Sequence, residues 1–190
     1  VERLKHKTYR ARLVRRKYIP KDDGKRRPLG ILVLEDKLVQ CAATQILLAI
    51  YEAEFLPCSY AYRPGRGPHS AVRHLTDELH WGEHHFVGEA DIQGFFDHVR
   101  HDQLLERLSR RIQDGALLRF IRKGLKAGIL EPEGRVIHPE MGTPQGGILS
   151  PLLANIALSA LDDHFAEAWA RMGRTSSARA RTWSKSMRWV

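Results

Sequence analysis

The sequence predicts a mixed α/β fold of the α+β kind, and three observations predict it. An Asp-Gly pair between two extended segments, residues 14–19 and 29–33, signals a β-hairpin. Apolar residues recur at helical spacing over 35–55, 69–81 and 101–112. Between the second and third of these helices, residues 86–92 alternate as a strand does, with Val87, Glu89 and Asp91 on one face and Phe86, Gly88, Ala90 and Ile92 on the other.

Composition narrows the class. The chain has 190 residues, 43% of them hydrophobic, enough for one compact domain or part of a larger one. No run of about 18 apolar residues exists, so no transmembrane span is predicted. The basic start lacks the apolar core of a secretory signal, and the missing initiator Met suggests an internal start. Two cysteines, Cys41 and Cys58, make neither a disulfide framework nor a zinc site, so a reducing, bacterial-type cytosol is expected, with an organelle as the other setting. Net charge is +9, and it is uneven. Residues 1–30 carry +9 and residues 171–190 carry +6, while the 140 residues between them carry −6. Basic ends suit a polyanion, with binding that weakens steeply in salt.

Each element has its own signal. Residues 20–28, P-K-D-D-G-K-R-R-P, form the hairpin tip, a finger of cations around Gly24 suited to closing on a triphosphate. The helix over 35–55 is read as burying Leu38, Ala42, Ile46 and Ile50, with Val39, Leu47 and Ala53 beside them, and Pro57 ends it. Residues 59–68 are a Pro/Gly loop whose two tyrosines and two arginines suit base stacking and phosphate pairing. The helix over 69–81 directs Val72, Leu75 and Leu79 inward. Gln93-Gly94 ends the strand and leads into a tight turn at Phe95, Phe96 and Asp97, leaving the Asp91 carboxylate at a sheet rim where Mg²⁺ or phosphate oxygens reach it. The histidine pairs His84-His85 and His98/His101 fit no zinc spacing. Residues 101–112 present Leu104, Leu105, Leu108 and Ile112, and Asp114 is the N-cap of a further helix through Ala127, stopped by Gly128. Pro132-Glu133-Gly134 turns a small second hairpin. Gly142 to Gly147 form a loop that lets a ligand approach the backbone, and Ser150-Pro151 starts a long helix as N-cap and N1. After Arg171 the chain is basic, rich in small residues and without periodicity, the composition of a disordered tail.

Four blocks, read together, resemble the reverse transcriptases encoded by group II introns: YIPKDDGKRRPLGILVLEDKLVQ (18–40), SYAYRPGRGP (59–68), DIQGFFD (91–97) and GTPQGGILSPLLANIAL (142–158). The last is the most specific, and the blocks stand in the family's order over about residues 16–161. The resemblance implies a right-hand polymerase, with fingers over 1–85, part of the palm over 86–170 and a tail over 171–190. It implies RNA-directed DNA polymerase activity with Mg²⁺, or Mn²⁺ in its place, acting on an RNA template such as intron RNA, a DNA primer and deoxynucleoside triphosphates. By the same resemblance Asp91 is catalytic and binds metal with the Ile92 carbonyl. Lys21, Arg27, Phe95, Gln145 and Gly146 serve the incoming nucleotide, with Phe95 under the sugar, excluding a 2′-hydroxyl. Arg63, Gly65, Arg66 and Pro144 serve the template. Where the family usually has Gly-Phe, this chain has Ala61-Tyr62, which keeps the aromatic.

The resemblance departs at the second metal motif. Family members place two further aspartates in a Tyr-x-Asp-Asp hairpin, and this sequence contains none. Asp162-Asp163 lies within the long helix and is read as solvated surface. The expectation is a truncated or frame-shifted polymerase, inactive alone and prone to associate through an open palm edge. The other reading is a non-catalytic, maturase-like RNA-binding remnant.

Overall fold

A computed structural model describes residues 2–6, 8–20, 24–82 and 87–172. Lys21, His84, His85, Phe86 and all residues after 172 lie outside these. The chain divides into two compact units that interleave along the sequence: Val1–Leu48 with Gln93–Ala154, and Ala49–Ile92 with Asn155–Val190. Among the described residues, no helix is long and apolar enough to cross a membrane.

The first unit is built on the expected hairpin. Strands β1 (Val14–Pro20) and β2 (Arg26–Ile31) pair antiparallel, from Arg15 opposite Ile31 to Pro20 opposite Arg26. Two short strands, β3 (Ile129–Leu130) and β4 (Val136–Ile137), form the second hairpin around Gly134, whose φ of 86° suits a residue without Cβ. Periodicity gave no hint that β3 joins β1 in parallel, with Val14 opposite Ile129, for a sheet order of β2-β1-β3-β4. The junction is apolar: Val14, Leu32, Ala127 and Ile129 form a buried cluster, with Ala11 against it. An ion pair adds to it, since Arg16 meets the buried Glu131 at 2.8 Å and the Tyr18 hydroxyl donates to the same carboxylate at 3.1 Å.

Helices α5 (His101–Ser109) and α6 (Gly115–Leu125) follow the expected pattern. Leu104, Leu105, Leu108 and Ile112 are all buried, and the Asp114 carboxylate caps α6 by accepting from the backbone N–H groups of Ala116 at 2.7 Å and Leu117 at 3.2 Å. A single turn, α1 (Glu2–Lys5), precedes a segment anchored on Asp36, which is 2% exposed. Asp36 accepts from the Tyr9 hydroxyl and from the Arg12 N–H at 3.0 Å. Burial, and then the Asp36 carboxylate, push the Tyr9 hydroxyl well above the usual tyrosine range.

Helix α2 (Leu34–Tyr51) forms where spacing places it and ends earlier, at Tyr51. Its buried face is a correction. Asp36, Ala43, Leu47 and Tyr51 are buried, whereas Leu38 is 64% exposed and Ile46 is exposed as well. Both faces of α2 are apolar, so period alone does not choose between them.

In the second unit, α3 (Pro68–Trp81) starts at Gly67, whose N–H donates to Ser70 Oγ at 2.9 Å. Only Ala71 of α3 is buried; Val72, Leu75 and Leu79, expected inside, are exposed, and Trp81 is 81% exposed. Helix α7 runs Ser150–Met172. Asp162, expected on the solvated face, is 7% exposed instead. It lies seven residues after the buried Asn155, two turns along the same helical face.

Of the strand expected over 86–92, the described residues 87–92 form none, and Phe86 lies outside the described residues. Residues 87–92 have no ladder among the described residues and are exposed throughout, with Val87 60% exposed. An extended segment with no neighbour leaves its amides to water, so alternation alone does not make a strand. The turn after it is as expected: Gly94 takes a left-handed conformation (φ 62°) and starts the short helix α4 (Phe95–His98).

Candidate functional site

In the first unit, the loop from Gly142 to Gly147 is held on two sides. On one side it meets the turn after the carboxylate motif. The Thr143 N–H donates to the Phe96 carbonyl at 2.7 Å and the Gly142 N–H to the Val99 carbonyl at 2.8 Å. His101 Nε2 donates to the Gly142 carbonyl at 2.7 Å, which fixes the ring's tautomer because a carbonyl only accepts. Gly142 has φ 86°, and a Cβ there would stand 2.8 Å from the Asp97 carbonyl oxygen and 2.9 Å from that of Phe96. Only glycine fits both the angle and the approach. On the other side the loop meets β2, where the Gly30 N–H donates to the Gln145 carbonyl at 2.5 Å. Gly146 (φ 102°) sits against Gly30 and Leu29. The Ser150 hydroxyl donates to the Pro144 carbonyl at 2.8 Å, so it ties the loop back to the start of α7 in place of the expected cap.

A cleft of roughly 200 Å³ opens beside this loop. Its floor is one face of the sheet: Val14, Pro28, Gly30, Ile129 and Ile137. Arg16, Asp97, Thr143 and Gln145 supply its polar groups. Arg16 is already paired with Glu131, and the Thr143 hydroxyl is buried with no hydrogen-bond partner among the described residues, as is His101 Nδ1.

The expected nucleotide residues divide around β2. Gln145 and Pro144 line the cleft. Arg27 pairs with Ile19 and is exposed, so by strand alternation it lies on the sheet face opposite Pro28 and Gly30, the face that Leu29 shares. Phe95 opens α4, half-buried, with its ring 6.1 Å from that of Phe96. Lys21 lies outside the described residues.

The second unit holds the remaining residues. Asp91 and Ile92 lie on the exposed segment after α3. The 59–68 loop separates its two Tyr-Arg pairs. Arg63 is buried: its guanidinium pairs with Glu52 at 2.7 Å, donates to the carbonyls of Leu56 at 2.8 Å and Ser59 at 2.9 Å, and lies 5.3 Å from the Phe55 ring centre. These partners give Arg63 an internal, loop-shaping position where a phosphate contact was expected. Tyr60 is buried as well, with its hydroxyl bonded to His74 Nδ1. Arg66 donates to the Pro57 carbonyl at 2.8 Å, stands over the Tyr60 ring and stays half-exposed next to the exposed Gly65. Tyr62 points outward from a left-handed backbone (φ 53°), a conformation that costs a non-glycine residue about 1–3 kcal/mol.

Residues 19–180 match the family described as reverse transcriptase (RNA-dependent DNA polymerase). The chain belongs to the reverse transcriptase family. Among its relatives, the group II intron-encoded protein LtrA of Lactococcus lactis subsp. cremoris is 42% identical over 180 residues, which are 94% of this chain and 30% of LtrA. Protein YkfC of Escherichia coli is 40% identical over 156 residues, 80% of this chain and 41% of that protein. In solved structures, a chain of a partial Cas6-RT-Cas1–Cas2 complex superposes with a TM-score of 0.56 at 30% identity, covering 87% of this chain and 28% of that one. The chain thus spans well under half the length of these relatives. The architecture is that of reverse transcriptase fingers with part of the palm.

Within this reverse transcriptase chain, sequence reasoning assigned no role to two residues that hold the loop, Asp97 and His101. Asp97 stands in the quoted motif, but its contact with Gln145 spans 48 residues and no periodicity reports it.

Proposed function

We propose that this chain is the fingers-and-palm part of an RNA-directed DNA polymerase of the group II intron kind, and that its first unit builds the nucleotide pocket. One observation carries the reading. Two of the other three motif blocks meet the Gly142–Gly147 loop, one through Gly30 and one through Phe96 with Asp97. A loop so held presents backbone and amide groups in fixed positions, and fixed positions are what phosphoryl transfer asks of a protein. On this reading Lys21 neutralises the triphosphate, Phe95 walls off a 2′-hydroxyl, and Gln145 with Gly146 borders the base, whereas Arg27, expected beside Lys21, lies on the sheet face opposite the cleft. Template contacts fall to Gly65, Arg66, Pro144 and the exposed Tyr62, with Arg63 acting through the loop it shapes.

Mg²⁺ would lower the pKa of the primer 3′-hydroxyl and steady the leaving group. Asp91 and the Ile92 carbonyl are its first ligands on this reading. They do not complete a site: both lie on an exposed segment, and among the described residues no group of three or more His, Cys, Asp or Glu gathers. A working centre needs carboxylates in addition to Asp91. RNA template, DNA primer and deoxynucleotides in a bacterial-type cytosol are the partners and setting that fit.

Primer extension on an RNA template, with Mg²⁺ and deoxynucleotides, tests the reading against an Asp91→Ala variant. Incorporation that vanishes in the variant is expected wherever the further carboxylates are supplied. Incorporation indifferent to Asp91→Ala would remove Asp91 from the centre. The net charge of +9 carried by residues 1–30 favours a second reading, RNA binding without polymerisation. Its mark is RNA retention that falls with salt and no incorporation by either protein.

A further inference from the structure

Gln145 is held at both ends. Its backbone carbonyl accepts from the Gly30 N–H, and its side-chain Nε2 faces the two Asp97 carboxylate oxygens at 3.5 and 3.4 Å, a long and bifurcated contact. Asp97 is itself fixed. It belongs to α4, its N–H donates to the Gly94 carbonyl at 2.9 Å, and Gly142 lies against its carbonyl. Arg16, the cation lining the same cleft, is committed to Glu131 and leaves the Asp97 carboxylate to the amide.

A carboxylate only accepts hydrogen bonds, whereas an amide both donates and accepts. The Asp97 oxygens therefore choose between the two flips of the Gln145 amide. They bind its NH₂ and leave Oε1 as the end available to a ligand. We infer that Asp97 is a positioning residue that sets the flip of Gln145, so that the cleft offers an acceptor and selects a ligand group that donates, a sugar hydroxyl or an exocyclic amine of a nucleotide. The inference rests on the nucleotide reading for the identity of the ligand, and on geometry alone for the clamp.

Two measurements on the 190-residue chain keep these apart. The first follows the Gln145 side-chain NH₂ by ¹⁵N–¹H NMR. Asp97→Ala should move its two proton signals to the values of a free glutamine, while the Gly30 backbone N–H, bonded to the other end of Gln145, stays in place. Asp97→Asn keeps an acceptor and should restore part of the shift. Unmoved Gln145 signals overturn the clamp, and so does equal movement at Gly30, which would mean that Asp97 only supports the loop. The second measures deoxynucleoside triphosphate affinity. Asp97→Ala should weaken it about 3- to 10-fold, the usual worth of one hydrogen bond, and should add nothing in a Gln145→Ala background. Additive losses overturn the positioning role. If the unaltered chain binds no nucleotide, the nucleotide reading fails while the NMR result still decides the clamp.

Discussion

Two stretches of this chain carry family motifs on irregular backbone, and they differ in what surrounds them. The Gly142–Gly147 loop is bonded to Phe96, Val99 and His101 on one side and to Gly30 on the other. The stretch over residues 87–92, which carries Asp91, is exposed along its whole length and has no ladder among the described residues. Backbone satisfaction, rather than helix or strand content, separates them. Polar groups with fixed partners hold a loop to one geometry, and polar groups left to water do not.

The sharpest way to break the comparison is to place the same methyl group in both stretches. Gly142→Ala puts a Cβ 2.8 Å from a carbonyl oxygen at φ 86°, and should cost about 3 kcal/mol in chemical denaturation. Gly88→Ala meets nothing within 4 Å and should stay within about 0.5 kcal/mol. Equal losses at the two sites would erase the distinction. A smaller effect is expected at Ser150→Ala, which removes the hydroxyl bond to Pro144 and should cost about 1 kcal/mol in the same assay. Thr143→Val tests the one loop hydroxyl without a partner. Its removal should be neutral or mildly stabilising, by up to about 1 kcal/mol, and a clear loss of stability would show that the hydroxyl is bonded after all. Hydrogen exchange reads the contrast without mutation. The amides of Gly142 and Thr143 should be protected, whereas those of residues 87–92 should exchange at nearly the rate of an unstructured peptide.

The same contrast explains what was legible in the sequence. Local chemistry was readable: the Asp-Gly hairpin, the Asp114 cap, the glycine turn before Phe95, and the leucines of α5 all stand where their patterns put them. Partners distant in sequence were not. Alternation marked 86–92 as a strand, but a strand exists only with a neighbour, and pattern does not supply one. The inward face of α2 was misread because Leu38 and Ile46 are as apolar as Leu47, and only tertiary packing tells them apart. The site residues were named by motif, whereas the internal place of Arg63, the opposite-face place of Arg27 and the grip of Asp97 on Gln145 depend on contacts that a motif does not list.

The parallel pairing of β1 with β3 imposes an order on synthesis. Val14 finds Ile129 across the sheet, a separation of 115 residues, the same as between Arg16 and Glu131. A ribosome adding about 5–20 residues per second takes roughly 6–23 s to deliver that partner. Meanwhile the β1–β2 hairpin can close, because its strands are neighbours, but the other edge of β1 stays open. That edge is a place for mispairing with another nascent chain until residue 129 emerges. Its cations, Arg15, Arg16 and Lys17, carry like charge on every copy and would repel such an encounter until Glu131 is made and pairs with Arg16.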